Sequence, residues 1–118
     1  MNDTIEAAET ASNALTQQGK ILDSIDQFYA DDCVFIEPDG SRRSSKKDQR
    51  AHLEAFFASL KGFEGATLHG QAVGDCFSAS EWTFKMIAGD GSPIVWNEML
   101  VRNWREGKIV SEKYYTQA

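Results

Sequence analysis

At 118 residues the chain is the size of one ordinary domain, with material for one hydrophobic core and too little for two. Hydrophobic residues make up 42% and aromatic residues 11%, which excludes general disorder and supplies bulk for a packed interior, with or without a lined hollow. A net charge of -6 argues against nucleic acid and anionic membrane as partners, because both attract basic faces.

The start, Met1 to Glu6, is acidic and polar and lacks the charged-then-apolar order of a secretory signal, and no run approaches the roughly 20 apolar residues that span a bilayer. A cytoplasmic location is therefore expected. From Asp3 to Gln18, Ile5, Ala8 and Leu15 recur at helical spacing, and Gly19 suits a helix stop. From Lys20 to Ala30, residues Ile21, Leu22, Ile25, Phe28 and Tyr29 form one wide apolar stripe on a second helix. Asp31-Asp32 breaks that pattern, Cys33 to Ile36 reads as a short strand, and Glu37-Pro38-Asp39-Gly40 reads as a turn. A third helix starts near Ser45, a capping hydroxyl with Asp48 three residues on, and its inner face carries Leu53, Phe56, Phe57 and Leu60 before Gly62 ends it.

After Phe63 the period changes from 3.6 to 2, and strands are expected at about 66–73, 76–88, 94–105 and 108–116. Trp82, Phe84 and Met86 alternate with Glu81, Thr83 and Lys85, the mark of a sheet with one buried face. Gly89 to Ser92 makes the first hairpin connection and Glu106-Gly107 the second. Helices at one end of the chain and strands at the other indicate an α+β fold. Cys33 and Cys76 have no metal-type spacing and read as two buried thiols, and His52 and His69 make no recognisable ligand set, so no metal or other cofactor is expected.

The run Phe28-Tyr29-Ala30-Asp31-Asp32-Cys33-Val34, then Glu37-Pro38-Asp39-Gly40, and the ending Gly107-Lys108-Ile109-Val110 through Tyr114-Tyr115 resemble the nuclear transport factor 2-like superfamily. Its members include SnoaL-like polyketide cyclases, ketosteroid isomerase and limonene epoxide hydrolase. The resemblance implies a cone-shaped fold, with three N-terminal helices packed on a curved antiparallel sheet, and a homodimer formed through that sheet. It also puts Glu37, before Pro38, where ketosteroid isomerase carries its proton-moving aspartate. The tyrosine and protonated aspartate of that enzyme fall near Ser12 or Asn13 and near Met99, residues that do not fill those roles. At the epoxide hydrolase's catalytic aspartate this chain has Lys113, which excludes that mechanism.

Pairing outward from a two-residue Glu106-Gly107 turn sets Arg105 against Lys108, Val101 against Glu112, Met99 against Tyr114 and Asn97 against Thr116. Taking this face as the concave one, as the family arrangement implies, makes Asn97, Met99, Val101 and Tyr114 ligand-binding candidates beside Phe35, Phe56, Trp82 and Phe84. A slip of one residue would instead turn Trp96, Glu98, Leu100, Arg102 and Trp104 inward. Glu37, His52 and Glu112 are the catalytic candidates. The alternatives for them are a solvated turn acid, an edge histidine and a buried acid paired with Arg102 or Lys113. His69 and the basic group Arg42, Arg43, Lys46, Lys47 and Arg50 read as surface. The expected function is binding of an apolar small molecule, with proton transfer on a carbonyl compound, or alternatively a noncatalytic dimeric module whose hollow is filled by its own side chains.

Overall fold

The computed structural model describes residues 2–117; Met1 and Ala118 lie outside the described residues. Helix α1 (Asn2–Gln17) ends where Gly19 takes φ 79° and the Lys20 amide turns back onto the Leu15 carbonyl at 2.8 Å. Glycine enters that region at no steric cost, which is why the helix stops there. Helix α2 (Ile21–Phe28) seats Ile25 in the core. Strand β1 (Tyr29–Ile36) begins at Tyr29 rather than at Cys33, since this β-favouring residue anchors its ring and hydroxyl in the interior. The two-residue strand β2 (Arg42–Arg43) folds back on β1 from within the basic stretch. Helix α3 (Lys46–Ala58) is capped as its sequence requires, with the Asp48 amide donating to Ser45 Oγ at 3.0 Å.

Four long strands follow, β3 (Gly62–Val73), β4 (Phe77–Ile87), β5 (Pro93–Arg105) and β6 (Lys108–Thr116). The β4–β5 hairpin closes with the Ala88 amide on the Ser92 carbonyl at 2.8 Å. Glu106 (φ 52°) and Gly107 (φ 80°) form the next turn, both left-handed as the tightest hairpins demand.

The sheet order is β2-β1-β6-β5-β4-β3. Every neighbouring pair is antiparallel except β1 with β6, so the expected all-antiparallel sheet is corrected at one pair. β1 enters from a helix and not from a hairpin, and nothing in its connection enforces an antiparallel approach. Two bulges in β3 and one in β6 bend the sheet, which stays unclosed, and the helices pack on its concave side. The architecture is α+β, as expected, with three helices packed on one face of a curved, unclosed sheet.

Two apolar clusters hold the layers together. Ile5, Ile25, Tyr29, Cys33, Phe35, Trp104 and Ile109 join the helices to β1, β5 and β6. Trp82, Phe84, Met86 and Leu100 form the second beneath α3. Burying each large side chain is worth about 1.5–3 kcal/mol. Cys33 is buried, whereas Cys76, also expected inside, is exposed in the β3–β4 connection. Among the described residues no helix is long and apolar enough to cross a membrane.

Candidate functional site

The pairing of β5 with β6 decides which side chains enter the concave space. It starts at the turn as expected, Arg105 with Lys108 and Trp104 with Ile109, but Val110 bulges and the pairing shifts by one residue. Arg102 then stands opposite Glu112, and Leu100 opposite Tyr114, in place of Val101 and Met99. Asn97, Met99 and Val101 consequently lie on the convex face, Met99 being 41% exposed, and the expectation that they face the ligand is corrected. The slipped alternative describes the molecule: Glu98, Leu100, Arg102 and Trp104 point inward. β4 agrees, because buried Met86, Phe84 and Trp82 stand opposite Ile94, Trp96 and Glu98.

Between this face and helices α2 and α3 is a cavity of about 170 Å3. Leu53, Phe56, Phe84, Met86 and Leu100 supply apolar wall. Glu37, His52, Glu98, Glu112 and Tyr114 bring polar groups to it. Of the ligand candidates, Phe56, Phe84 and Tyr114 reach the cavity. Phe35 and Trp82 are wholly buried in the two core clusters and do not line it.

Glu37 follows the last residue of β1, where its amide donates to the Ser41 carbonyl at 2.9 Å and fixes the turn. Its side chain is 29% exposed and pairs with Arg43, which β2 presents beside it. Arg43 Nε donates to Gln49 Oε1 at 2.5 Å, Gln49 Nε2 donates to the Tyr114 hydroxyl at 3.1 Å, and that hydroxyl donates to Glu112 Oε1 at 2.5 Å. A continuous line of donors thus runs from the rim to the floor.

Glu112 is no free acid. Its Oε2 accepts Arg102 Nε at 2.7 Å and the Tyr29 hydroxyl, so three donors hold the carboxylate. Arg102 continues inward, giving hydrogen bonds to Glu9 at 2.9 Å and to Asn13 Oδ1 at 3.2 Å, and Ser78 and Asn13 also donate to Glu9. Among the described residues every fully buried side-chain polar atom has a partner, as a low-dielectric interior requires. Burial first, and the Glu112 charge next, push Tyr114 well above the usual phenol range, so it is a neutral donor. Ser12 and Asn13, the positions that resemblance compared with a catalytic tyrosine, are committed to Ser24 and to this network.

Glu98 contrasts with Glu112. It faces the cavity from β5 and makes no hydrogen bond or ion pair with the described residues. Burial chiefly, then the charges of Glu112 and Glu37, push its carboxyl up to about 8, so it carries a proton at neutral pH. Pairing read from the second hairpin turned this residue inward only in the slipped register. Extending it from the first hairpin, opposite Trp82, would have turned Glu98 inward.

His52 sits on α3 at the cavity mouth with its side chain exposed. His69 is on the opposite side of the sheet, its ring nitrogen 2.7 Å from Thr83 Oγ1. Among the described residues no group of three or more His, Cys, Asp or Glu is placed to hold a metal ion.

The SnoaL-like domain family matches residues 10–112. A protein of Mesorhizobium loti assigned as a SnoaL-like polyketide cyclase superposes with a TM-score of 0.83 at 20% identity, covering 94% of this chain and 97% of that one. An NTF2-like protein of unknown function from Burkholderia xenovorans gives 0.74 at 21% identity over 98% and 84% of the two chains. AclR of Streptomyces galilaeus, assigned as a hydroxylase, gives 0.80 at 14% identity over 99% and 91%. No curated protein sequence matches. With most of its length matched and its sheet and helices superposed on these structures, the chain belongs to the SnoaL-like domain family and has the nuclear transport factor 2-like fold.

Proposed function

We propose that the cavity takes a small apolar carbonyl compound in the cytoplasm and moves a proton on it, with Glu98 as acid and Glu37 as base. The observation that carries this reading is Glu98, a carboxyl facing the cavity with no hydrogen bond or ion pair among the described residues. Such a group is a strong hydrogen-bond donor where a developing oxyanion needs one. Glu37, aimed by Arg43, removes a proton from the carbon next to the carbonyl while the Glu98 hydroxyl gives its proton to the oxygen. Return of the proton to the same carbon exchanges it; in a β,γ-unsaturated carbonyl compound its return to the γ carbon, with the oxygen giving its proton back to Glu98, moves the carbon–carbon double bond into conjugation and restores Glu37 as carboxylate and Glu98 as acid. Tyr114 and Glu112 position Glu37 through Gln49 and Arg43, and His52 at the mouth is a second candidate base. Structural neighbours assigned as a cyclase and as a hydroxylase share this fold, so support for the reaction comes from the site's chemistry and not from the architecture. The unpaired cysteines fit a reducing compartment.

A second reading has its own support. Val95 (56% exposed), Met99 and Tyr115 (51%) leave apolar surface on the convex face, which suits a homodimer through the sheet and a noncatalytic ligand carrier.

Deuterium incorporation from D2O into a panel of apolar ketones, followed by NMR, separates the two. Catalysis predicts exchange that fades as pH passes about 8, and a roughly 100-fold loss in both Glu98→Gln and Glu37→Gln. Absence of exchange with the parent protein removes the catalytic reading and leaves the carrier.

A further inference from the structure

Four aromatic rings form a fence across one end of the cavity. Trp96 of β5 stacks on Phe56 of α3 with centroids 5.2 Å apart and planes 14° from parallel. Phe56 leans on Phe57 at 5.8 Å, and Phe57 meets Phe63 of β3 edge-on at 6.4 Å. The fence therefore runs from β5 over α3 to β3, and all four rings border the cavity. Rings in contact leave no room for a ligand between helix and sheet along that line.

The space between the fence and the inner wall is about 170 Å3, open to solvent at the mouth. A pocket for a drug-sized ligand encloses about 300–1,000 Å3. An apolar cavity of about 150 Å3, by contrast, holds a single benzene.

We infer that the ring fence, closed by Trp96 against Phe56, restricts this cavity to ligands about one ring in size and excludes fused polycyclic ones. The inference rests on the acid-lined cavity being the ligand site, and it makes Trp96 a specificity-determining residue. Trp96 suits that role because it is 43% exposed, so its replacement opens the cavity without hollowing the core. Without a size limit the hydrophobic effect alone would rank ligands the other way, each added ring burying more apolar surface and tightening binding.

Acetophenone, 2-acetonaphthone and 2-acetylanthracene carry one carbonyl on one, two and three rings, and NMR titration of the parent with each at pH 6 reads the order directly. The parent is expected to bind the one-ring ketone at least 10-fold more tightly than the three-ring ketone. Trp96→Ala should reverse that order, and Trp96→Phe, which keeps a stacking ring, should preserve it. Thermal melting of each variant shows that it is folded. Affinity that rises with ring number in the parent, or an order unchanged in Trp96→Ala, overturns the size limit, and so does failure of all three ketones to bind. The role of Glu98 is read separately from pH titrations of the parent with acetophenone. One-ring selectivity without pH dependence near 8 sinks the acid role alone, and pH dependence without selectivity sinks the fence alone.

Discussion

Two carboxyl groups face the same concave space from adjacent strands and have opposite surroundings. Glu112 meets three donors and, through Arg102, a second carboxylate at Glu9. Glu98 stands four residues before Arg102 on β5, about 13 Å along the strand, and faces the cavity without a hydrogen bond or ion pair among the described residues. The difference teaches which acid is structure and which is available for chemistry. A carboxylate whose acceptor sites are occupied by protein is fixed in place. One left without partners stays protonated and can give its proton to a ligand.

The sharpest break of this comparison is Arg102→Ala, which would leave Glu9 and Glu112 buried without their shared cation. A loss of about 3–5 kcal/mol in urea unfolding is expected, because an uncompensated buried charge costs more than the pair contributes. A loss below about 1 kcal/mol would show that the interior is wet and that Glu112 is no more structural than Glu98.

Glu98→Gln comes next and acts through pH. The folded state holds the Glu98 proton up to about 8, against an ordinary value of 4.5, so between these values it binds more protons than the unfolded chain. Stability from this group is therefore complete below about pH 4.5, declines as pH rises and is lost past about 8. Glutamine cannot ionise. The variant should match the parent at pH 4 and exceed it by about 1–3 kcal/mol at pH 9, a figure discounted for water entering the cavity mouth. Equal stability at both pH values would mean that Glu98 is solvated.

Tyr114→Phe tests the link between the two regions, since it removes one donor to Glu112 and the acceptor for Gln49. About 1–2 kcal/mol of stability should be lost, with deuterium exchange into ketones slowed if Gln49 and Arg43 aim Glu37 through this hydroxyl. Met99→Ala is the smallest change, within about 0.5 kcal/mol in dilute monomer, because the side chain is on the exposed convex face. A larger loss that grows with protein concentration would point to the sheet dimer.

Much of the architecture was legible in local pattern. Gly19, Ser45 and the Glu106-Gly107 turn were readable because caps and tight turns depend on a few neighbouring residues. The alternation of Trp82, Phe84 and Met86 revealed the buried face of β4 for the same reason. The site was legible only in part. Glu37, His52, Phe56, Phe84, Glu112 and Tyr114 border the cavity, but Asn97, Met99 and Val101 were turned the wrong way and Glu98 faced inward only in the slipped register, with no role assigned to it. Both faces of β5 mix apolar and polar residues, so alternation alone does not orient it.

The sequence by itself determined where most helices, strands and turns form, the start of β1 and the short β2 excepted, because those follow from spacing, capping and backbone preference within a few residues. Tertiary structure alone decided that Val110 bulges, that Arg102 enters the interior to join Glu9 with Glu112, and that Glu98 has no side-chain partner among the described residues. A one-residue shift in strand pairing reverses every side chain beyond it. Its outcome is set by whether residues as distant as Glu9, Tyr29 and Glu112 together can compensate one buried guanidinium.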